Sequence, residues 1–420
     1  MITRIQALRY RCLRYVDHNI GPFQMLVGAN ATGKTTFLDV VSFFGDLVTQ
    51  GVESAIRERS NNPQDLMWNG QGDVFELAME VAVPDAVRSR IEDPGLSHVR
   101  YEVTVGTDVA GEGLGLSAER VWLTRSEGKV ERERNLFPEL HSQPKSILLR
   151  KGKSKARQRL VISKVVGGND NYMPETPKGY SPSFKQSAKK SALANLPADE
   201  ASFPVATWLK AFLTEGIQTF VLNSQLIRKA SPPKQGKGFK TDGSNLPWVI
   251  EDLKQRYKDR FRDWVRHLRT ALPDLQDLRT VEREDDKHRY LMLKYANGLE
   301  IPSWMASDGT LRLLALTLPA YLPEFQGLYL IEEPENGIHP KAVETVFQSL
   351  SSVYEAQVLL ATHSPVLLSL IKPKDAGKVL CFAKAEDGST DIVSGDHHPH
   401  LKSWQGDPNL SVLFAGGVLG

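Results

Sequence analysis

Apolar and polar positions alternate from the first residues. Ile2 to Tyr10 and Cys12 to Ile20 predict two short strands that feed a third, the apolar run Phe23 to Val27. That run reads as a buried strand, and Phe37-Leu38-Asp39-Val40-Val41 then begins a helical pattern. After a polar, turn-rich stretch from Gly51 to Gly72, the segments Val74 to Val81, His98 to Gly106 and Leu116 to Thr124 alternate or carry β-branched residues. They predict an antiparallel ribbon with Pro and Gly in its loops. From about Arg150 to Pro204 the composition changes: Arg150 to Arg159 is basic, and Gly167 to Lys190 is rich in Gly, Asn, Pro, Ser and Lys. This composition predicts an inserted, partly mobile segment. Its basic run is either a solvated loop or a contact for nucleic-acid phosphates.

Helical patterning returns at Val205 to Glu215. Ile250, Leu253, Tyr257, Phe261, Trp264, Val265 and Leu268 then recur at three- and four-residue spacing, which predicts one amphipathic helix of about six turns ending before Pro273. Nothing sustains heptads long enough for an extended coiled coil. Further on, Ser307-Asp308-Gly309-Thr310 opens a helix, with Ser307 or Asp308 as its cap. The apolar strand Leu328 to Ile331 runs into two acids, Glu332 and Glu333. Pro340 suits a helix first turn, and Val343, Val346, Phe347, Leu350 and Val353 form that helix's apolar face. A second strand, Gln357 to Ala361, ends at Thr362-His363-Ser364-Pro365. Strand, helix and strand in this order imply a right-handed parallel crossover.

Composition narrows the classes. The 420 residues carry 52 Lys and Arg against 50 Asp and Glu, a formal net charge of +2, so no global polyelectrolyte affinity follows. Cys12 and Cys381 are the only cysteines, which argues against a disulfide framework and suits a reducing compartment. The N-terminus lacks the apolar core of a signal peptide, and Leu311 to Leu322 is too short to span a bilayer and is cut by Pro319. The expectation is a soluble, cytoplasmic protein with no membrane partner.

The chemistry centres on Gly28-Ala29-Asn30-Ala31-Thr32-Gly33-Lys34-Thr35-Thr36, set between the buried strand and the helix. This is G-x-x-x-x-G-K-[ST] in the context that gives it meaning. Backbone N–H groups of the loop and first helical turn cradle phosphate oxygens, Gly33 permits close approach, Lys34 reaches the β- and γ-phosphates, and Thr35 ligates Mg²⁺. A strand that delivers carboxylates to the same sheet edge places Glu332 to hold Mg²⁺ and Glu333 to polarise the attacking water. The crossover sets His363 one strand edge from these acids, in reach of a γ-phosphate. Ser307 to Gly309 offers a second phosphate-binding helix N-terminus. Asp391, Asp396, His397, His398 and His400, near the end of the chain, read as a solvated loop rather than a metal site.

These elements, in this order, resemble the ABC-type ATPases, nearest to the SMC/RecF/OLD-like group. Gly28 to Thr36 is similar to Walker A, Ala306 to Thr310 to the signature motif, Leu328 to Glu333 to Walker B, Asn336 to Pro340 to the D-loop, and Thr362 to Ser364 to the switch-histidine loop. Asp242 to Pro247 and Ser307 to Arg312 resemble compact ATPases of bacterial phage-defence operons. The resemblance covers residues 1–125 and 205–370. Two positions depart from the family: Glu332 stands for the usual aspartate, and Asp308 for the usual second glycine of the signature. An acid there is tolerated if it caps the helix and points away from the nucleotide.

The resemblance implies an α/β, ABC-type P-loop ATPase with a mixed parallel core sheet, an antiparallel ribbon and an inserted helical subdomain. The boundaries are 1–149 for the N-terminal half, 150–204 for the basic insert, 205–300 for the helical subdomain and 301–420 for the C-terminal half. It further implies a homodimer or higher oligomer that sandwiches ATP and Mg²⁺. Gly28, Asn30, Ala31, Thr32, Gly33, Lys34, Thr35 and Thr36 of one chain then face Ser307 and Gly309 of the other. Glu333 and His363 act in catalysis, and Thr35 and Glu332 at the metal. Long coiled-coil arms are excluded by the helical patterning, and only a short tail follows His363 where an OLD nuclease carries a further domain. The expectation is an ATP-driven switch subunit of an antiviral system acting on a separate nuclease or toxin. The alternative is a RecF-like, DNA-binding repair ATPase.

Overall fold

The structure, a computed structural model, describes every residue except 110, 112, 126–133, 151–157, 178, 237, 324, 402–403, 406 and 420. In chain order the first part comprises β1 (Ile2–Tyr10), β2 (Leu13–Asn19), β3 (Phe23–Gly28), α1 (Lys34–Gln50), α2 (Val52–Arg57), β4 (Val74–Ala82), α3 (Asp85–Arg88), β5 (His98–Gly106), β6 (Gly115–Thr124), β7 (Gln158–Val165), β8 (Asp170–Tyr172), β9 (Ser183–Phe184) and α4 (Pro204–Glu215). There follow β10 (Ile217–Phe220), α5 (Ser224–Arg228), α6 (Leu246–Arg256), α7 (Lys258–Ala271), β11 (Leu275–Glu282), β12 (Arg289–Tyr295), β13 (Glu300–Pro302) and α8 (Asp308–Thr317). The last elements are β14 (Leu328–Glu332), α9 (Pro340–Ser351), β15 (Gln357–Thr362), α10 (Pro365–Ser369), β16 (Val379–Lys384), β17 (Thr390–Ser394) and α11 (Leu410–Ala415).

Two compact units divide the chain: Met1–Ile217 with Ala376–Trp404 and Val418–Gly420, and Gln218–Asp375 with Gln405–Gly417. In the first unit an eight-stranded sheet runs in the order β2-β1-β4-β5-β6-β7-β8-β9, antiparallel throughout. The predicted ribbon is therefore present, and it is wider than the alternation indicated. Residues 158–204, expected as a partly mobile insert, instead add β7, β8 and β9 to its edge and continue into α4. The pairing of β7 with β6 sets this register, with Ile162 opposite Val121. The basic run lies mostly within 151–157, outside the described residues. Its last member, Arg159, sits in β7 and bonds Glu92 and the Pro174 carbonyl at 2.6 Å.

β3, buried along its whole length, pairs in parallel with β16, which turns back into antiparallel β17. Beside them α1 buries Phe37, Phe43, Phe44 and Leu47 at 0% exposure, each a side chain whose burial contributes about 1.5–3 kcal/mol. α1 packs on α4.

In the second unit β14 and β15 are parallel and linked through α9, as the crossover predicts, and β10 lies beside β14. The predicted six-turn helix is two helices. Tyr257 leaves helical geometry (φ −132°, ψ 60°) between α6 and α7, while the apolar period continues across the break. The stretch read as a helical subdomain also holds an antiparallel sheet, β11-β12-β13. Among the described residues no helix is long and apolar enough to cross a membrane.

Candidate functional site

β3 ends at Gly28, and the chain turns through Ala29–Gly33 into α1. Ala31 (φ 62°) and Gly33 (φ 102°) both take left-handed backbone. A Cβ on Gly28 would lie 2.3 Å from the Phe382 carbonyl oxygen, and one on Gly33 2.3 Å from Thr390 Oγ1. Both positions therefore require glycine. Thr32 closes the turn by donating its hydroxyl to the Ala29 carbonyl at 2.9 Å. No side chain caps α1 at Gly33, so the first-turn N–H groups of this 17-residue helix are placed to receive an anion.

Lys34 is 9% exposed, and its ammonium donates to the Gly28 and Ala29 carbonyls at 2.8 Å each. The loop thus holds the lysine charge against its own backbone, while Asn30 and Thr35 are exposed and Thr36 half-buried. This donor set fits a nucleotide triphosphate with Mg²⁺: N–H groups and Lys34 for phosphate oxygens, and the Thr35 hydroxyl for the metal.

One contributor here lies far outside the motif. Thr390 on β17 donates its hydroxyl to the Thr32 carbonyl at 2.9 Å and its N–H to the Cys12 carbonyl at 3.0 Å. The same hydroxyl fills the space that a side chain at position 33 would need. The neighbouring Asp391 carboxylate accepts from Arg134 at 2.7 Å, the Glu139 N–H at 2.8 Å and His141 Nε2 at 3.0 Å. Burial alone would raise this carboxyl, but the His141 bond and the Arg134 charge outweigh it and hold it below the ordinary range. The stretch expected as a solvated loop is thus partly interior: Asp391 is 3% exposed and His398 is fully buried. Among the described residues no cluster of His, Cys, Asp and Glu could hold a metal.

In the second unit the remaining predicted residues sit on strand and helix ends. β14 buries its four apolar residues and leaves Glu332 exposed. Glu332 lies opposite Ala361 on β15, whose carbonyl accepts the Glu333 N–H at 2.8 Å. Glu333 has φ 46°, a left-handed turn that a non-glycine residue adopts only where its surroundings hold it. Asn336 Nδ2 donates to its Oε2 at 2.5 Å, and His363 Nδ1 lies 3.0 Å from Oε1 without the alignment of a hydrogen bond. The two predicted catalytic residues are therefore neighbours. Glu335, not singled out by sequence, accepts from Thr362 Oγ1 at 2.6 Å, and burial pushes its carboxyl up.

Ser307 caps α8 by accepting the Thr310 N–H at 3.1 Å. Asp308 does not cap the helix. It pairs with Arg228 of α5 at 2.5 Å, which offsets the negative charge that would oppose a phosphate. A Cβ on Gly309 would lie 2.8 Å from the Gly337 carbonyl, so the helix start packs on the turn that follows Glu333. The structure thus gathers the loop residues 28–36 in one unit, and Ser307, Gly309, Glu332, Glu333 and His363 in the other.

A family model described as "AAA domain, putative AbiEii toxin, Type IV TA system" matches residues 23–369. Among solved structures, the chain is similar to the SmcHead bound to the C-winged helix domain of ScpA, with 15% identity and a TM-score of 0.54 over 94% of this chain and 97% of that one. It is also similar to the Smc head domain with an extended coiled coil bound to the C-terminal domain of ScpA, derived from Pyrococcus furiosus. There the identity is 14% and the TM-score 0.52, over 94% of this chain and 96% of that one. No curated protein matches. At these identities the likeness is one of fold, and that fold is the α/β ABC-type ATPase head.

Proposed function

We propose, from the premise that this chain belongs to the AAA-domain family whose model matches residues 23–369, that it is an ATP-binding and ATP-hydrolysing switch subunit of a bacterial antiviral defence system. It works in the cytoplasm and controls a separate effector, a nuclease or a toxin, through ATP-dependent closure of a homodimer. The observation that carries the nucleotide assignment is the loop itself, with Lys34 buried against Gly28 and Ala29 and two glycines that admit no side chain.

The residues divide the work. Backbone N–H groups of 31–36 and the Lys34 ammonium bind and orient the phosphates. Mg²⁺, when bound with the nucleotide, neutralises charge that develops on the phosphates in transfer. Thr35 and Glu332 are the residues that would hold it. Glu333 takes the proton of the attacking water, Asn336 fixes its carboxylate, and His363 stands beside it at 3.0 Å. Ser307 and Gly309 act on the nucleotide of a second chain. Supporting this is their surface: Ser307 is exposed, and nearby Trp304 and Met305 are 45% and 68% exposed, apolar area of the kind that interfaces cover. The similar SmcHead is bound to the C-winged helix domain of ScpA, and we extend such a partnership to an effector here.

The test mixes Ser307→Arg, which fills the phosphate position of the second chain, with Lys34→Ala, which removes the charge from the first. Each alone should be inactive, whereas a mixed dimer holds one intact composite site and should regain ATP turnover. Mixed dimers that form and stay inactive would refute the two-chain site. Salt-dependent DNA binding by the isolated protein, without a co-purifying effector, would favour a repair ATPase instead.

A further inference from the structure

A cavity of about 270 Å³ lies within the Gln218–Asp375 unit, and none of the residues assigned above to ATP lines it. Its wall is mostly rings and branched chains, among them Phe239, Leu253, Tyr257, Leu322, Phe325 and Tyr329. The rings brace one another. Phe325 meets Tyr329 at 4.6 Å, Phe220 stands edge-on to Tyr329 at 5.4 Å, and Phe220 stacks on Phe239 at 5.3 Å. This rigid apolar shell is smaller than the about 300–1,000 Å³ of drug-sized sites, which limits an occupant to one or two rings.

One polar group in the wall lacks a partner among the described residues. Gln218 Oε1 is buried and accepts no hydrogen bond. Tyr329 is 1% exposed, and burial pushes its phenol up. The other polar side chains are partnered: Asp252 pairs with Arg256 at 3.0 Å, and the Tyr257 hydroxyl accepts from Arg256 Nη2 at 3.1 Å. An apolar hole needs no such group, and a buried acceptor without a donor is costly. The unmet need is therefore for an N–H on a flat apolar body.

We propose that this cavity binds a planar, nucleobase-sized heterocycle whose ring N–H donates to Gln218 Oε1 while its faces pack among Phe239, Phe325 and Tyr329. The site is independent of the nucleotide loop and does not rest on the ATPase reading.

Titration of the full chain with indole, followed by ligand-observed NMR or calorimetry, tests this against benzofuran, which has the same shape with oxygen in place of N–H. Indole should bind about tenfold more tightly, the scale of one hydrogen bond. Gln218→Leu should abolish that preference while retaining ring binding. Leu322→Trp, at a half-buried position on the rim, should block both ligands without unfolding the chain. Saturating ATP should leave indole binding unchanged. Equal affinity for the two ligands, no binding, binding that survives Leu322→Trp in a folded protein, or competition by ATP would each overturn the proposal.

Discussion

Replacing Thr390 with valine keeps the outline of the side chain and removes one hydroxyl. In the native chain that hydroxyl donates at 2.9 Å to the Thr32 carbonyl, and both residues are 4% exposed. A buried acceptor stripped of its donor costs about 1–3 kcal/mol. The carbonyl belongs to the turn that presents Gly33 and Lys34, so the loop relaxes unless its conformation is restored by binding. If that cost falls on the binding-competent loop, ATP affinity drops by about fivefold to somewhat over a hundredfold, at tenfold per 1.4 kcal/mol. Titration with a fluorescent ATP analogue reads this directly, and melting without nucleotide reports the fold. Thr390→Ser, which keeps the donor, should recover most of the affinity. A Thr390→Val protein that loses melting temperature but binds ATP like the parent would show that Thr390 only staples the β16–β17 hairpin. The argument for a role in positioning the loop would then fail.

Glu333→Gln should retain ATP binding and lower hydrolysis by about two orders of magnitude, the scale of a lost general base, with the closed dimer accumulating. Turnover that survives Glu333→Gln but not Glu332→Gln, in a steady-state phosphate-release assay, would reverse the roles given to the two acids. Stability should fall as pH rises through about 7 because of Glu175. Burial raises its carboxyl from 4.5 to about 7, although the Val205 and Ala206 N–H groups donate to it at 2.6 and 2.8 Å. A raised native pKa contributes stability fully present below 4.5 and lost as pH climbs through 7, a span worth about 3 kcal/mol. Melting between pH 5 and 8 should show this slope in the parent and not in Glu175→Gln, and equal slopes would refute it.

What the sequence exposed was local. The loop from Gly28 to Thr36 is contiguous, and its demands on backbone and charge are met by residue types at fixed offsets, so it could be read before any contact was known. The same holds for Ser307, whose cap is three residues from the N–H it accepts, and for the acids that end an apolar strand. What stayed hidden depends on partners far along the chain. Arg228 and Asp308 are 80 residues apart, and Thr390 reaches Thr32 across 358, with only a lone threonine in a strand to announce it. β7 escaped notice because a basic run and Gly- and Pro-rich turns surround it, although its own pattern becomes meaningful once β6 supplies a register. The break at Tyr257 was invisible for the opposite reason: apolar residues keep their spacing on both sides of it, so periodicity reports which face is buried and not whether the backbone is continuous. The residues that bear a charge or form a phosphate cradle were therefore legible as chemistry. Those that hold them in place, Thr390 behind the loop and Asn336 beside Glu333, act through distance and angle, which only the folded chain supplies.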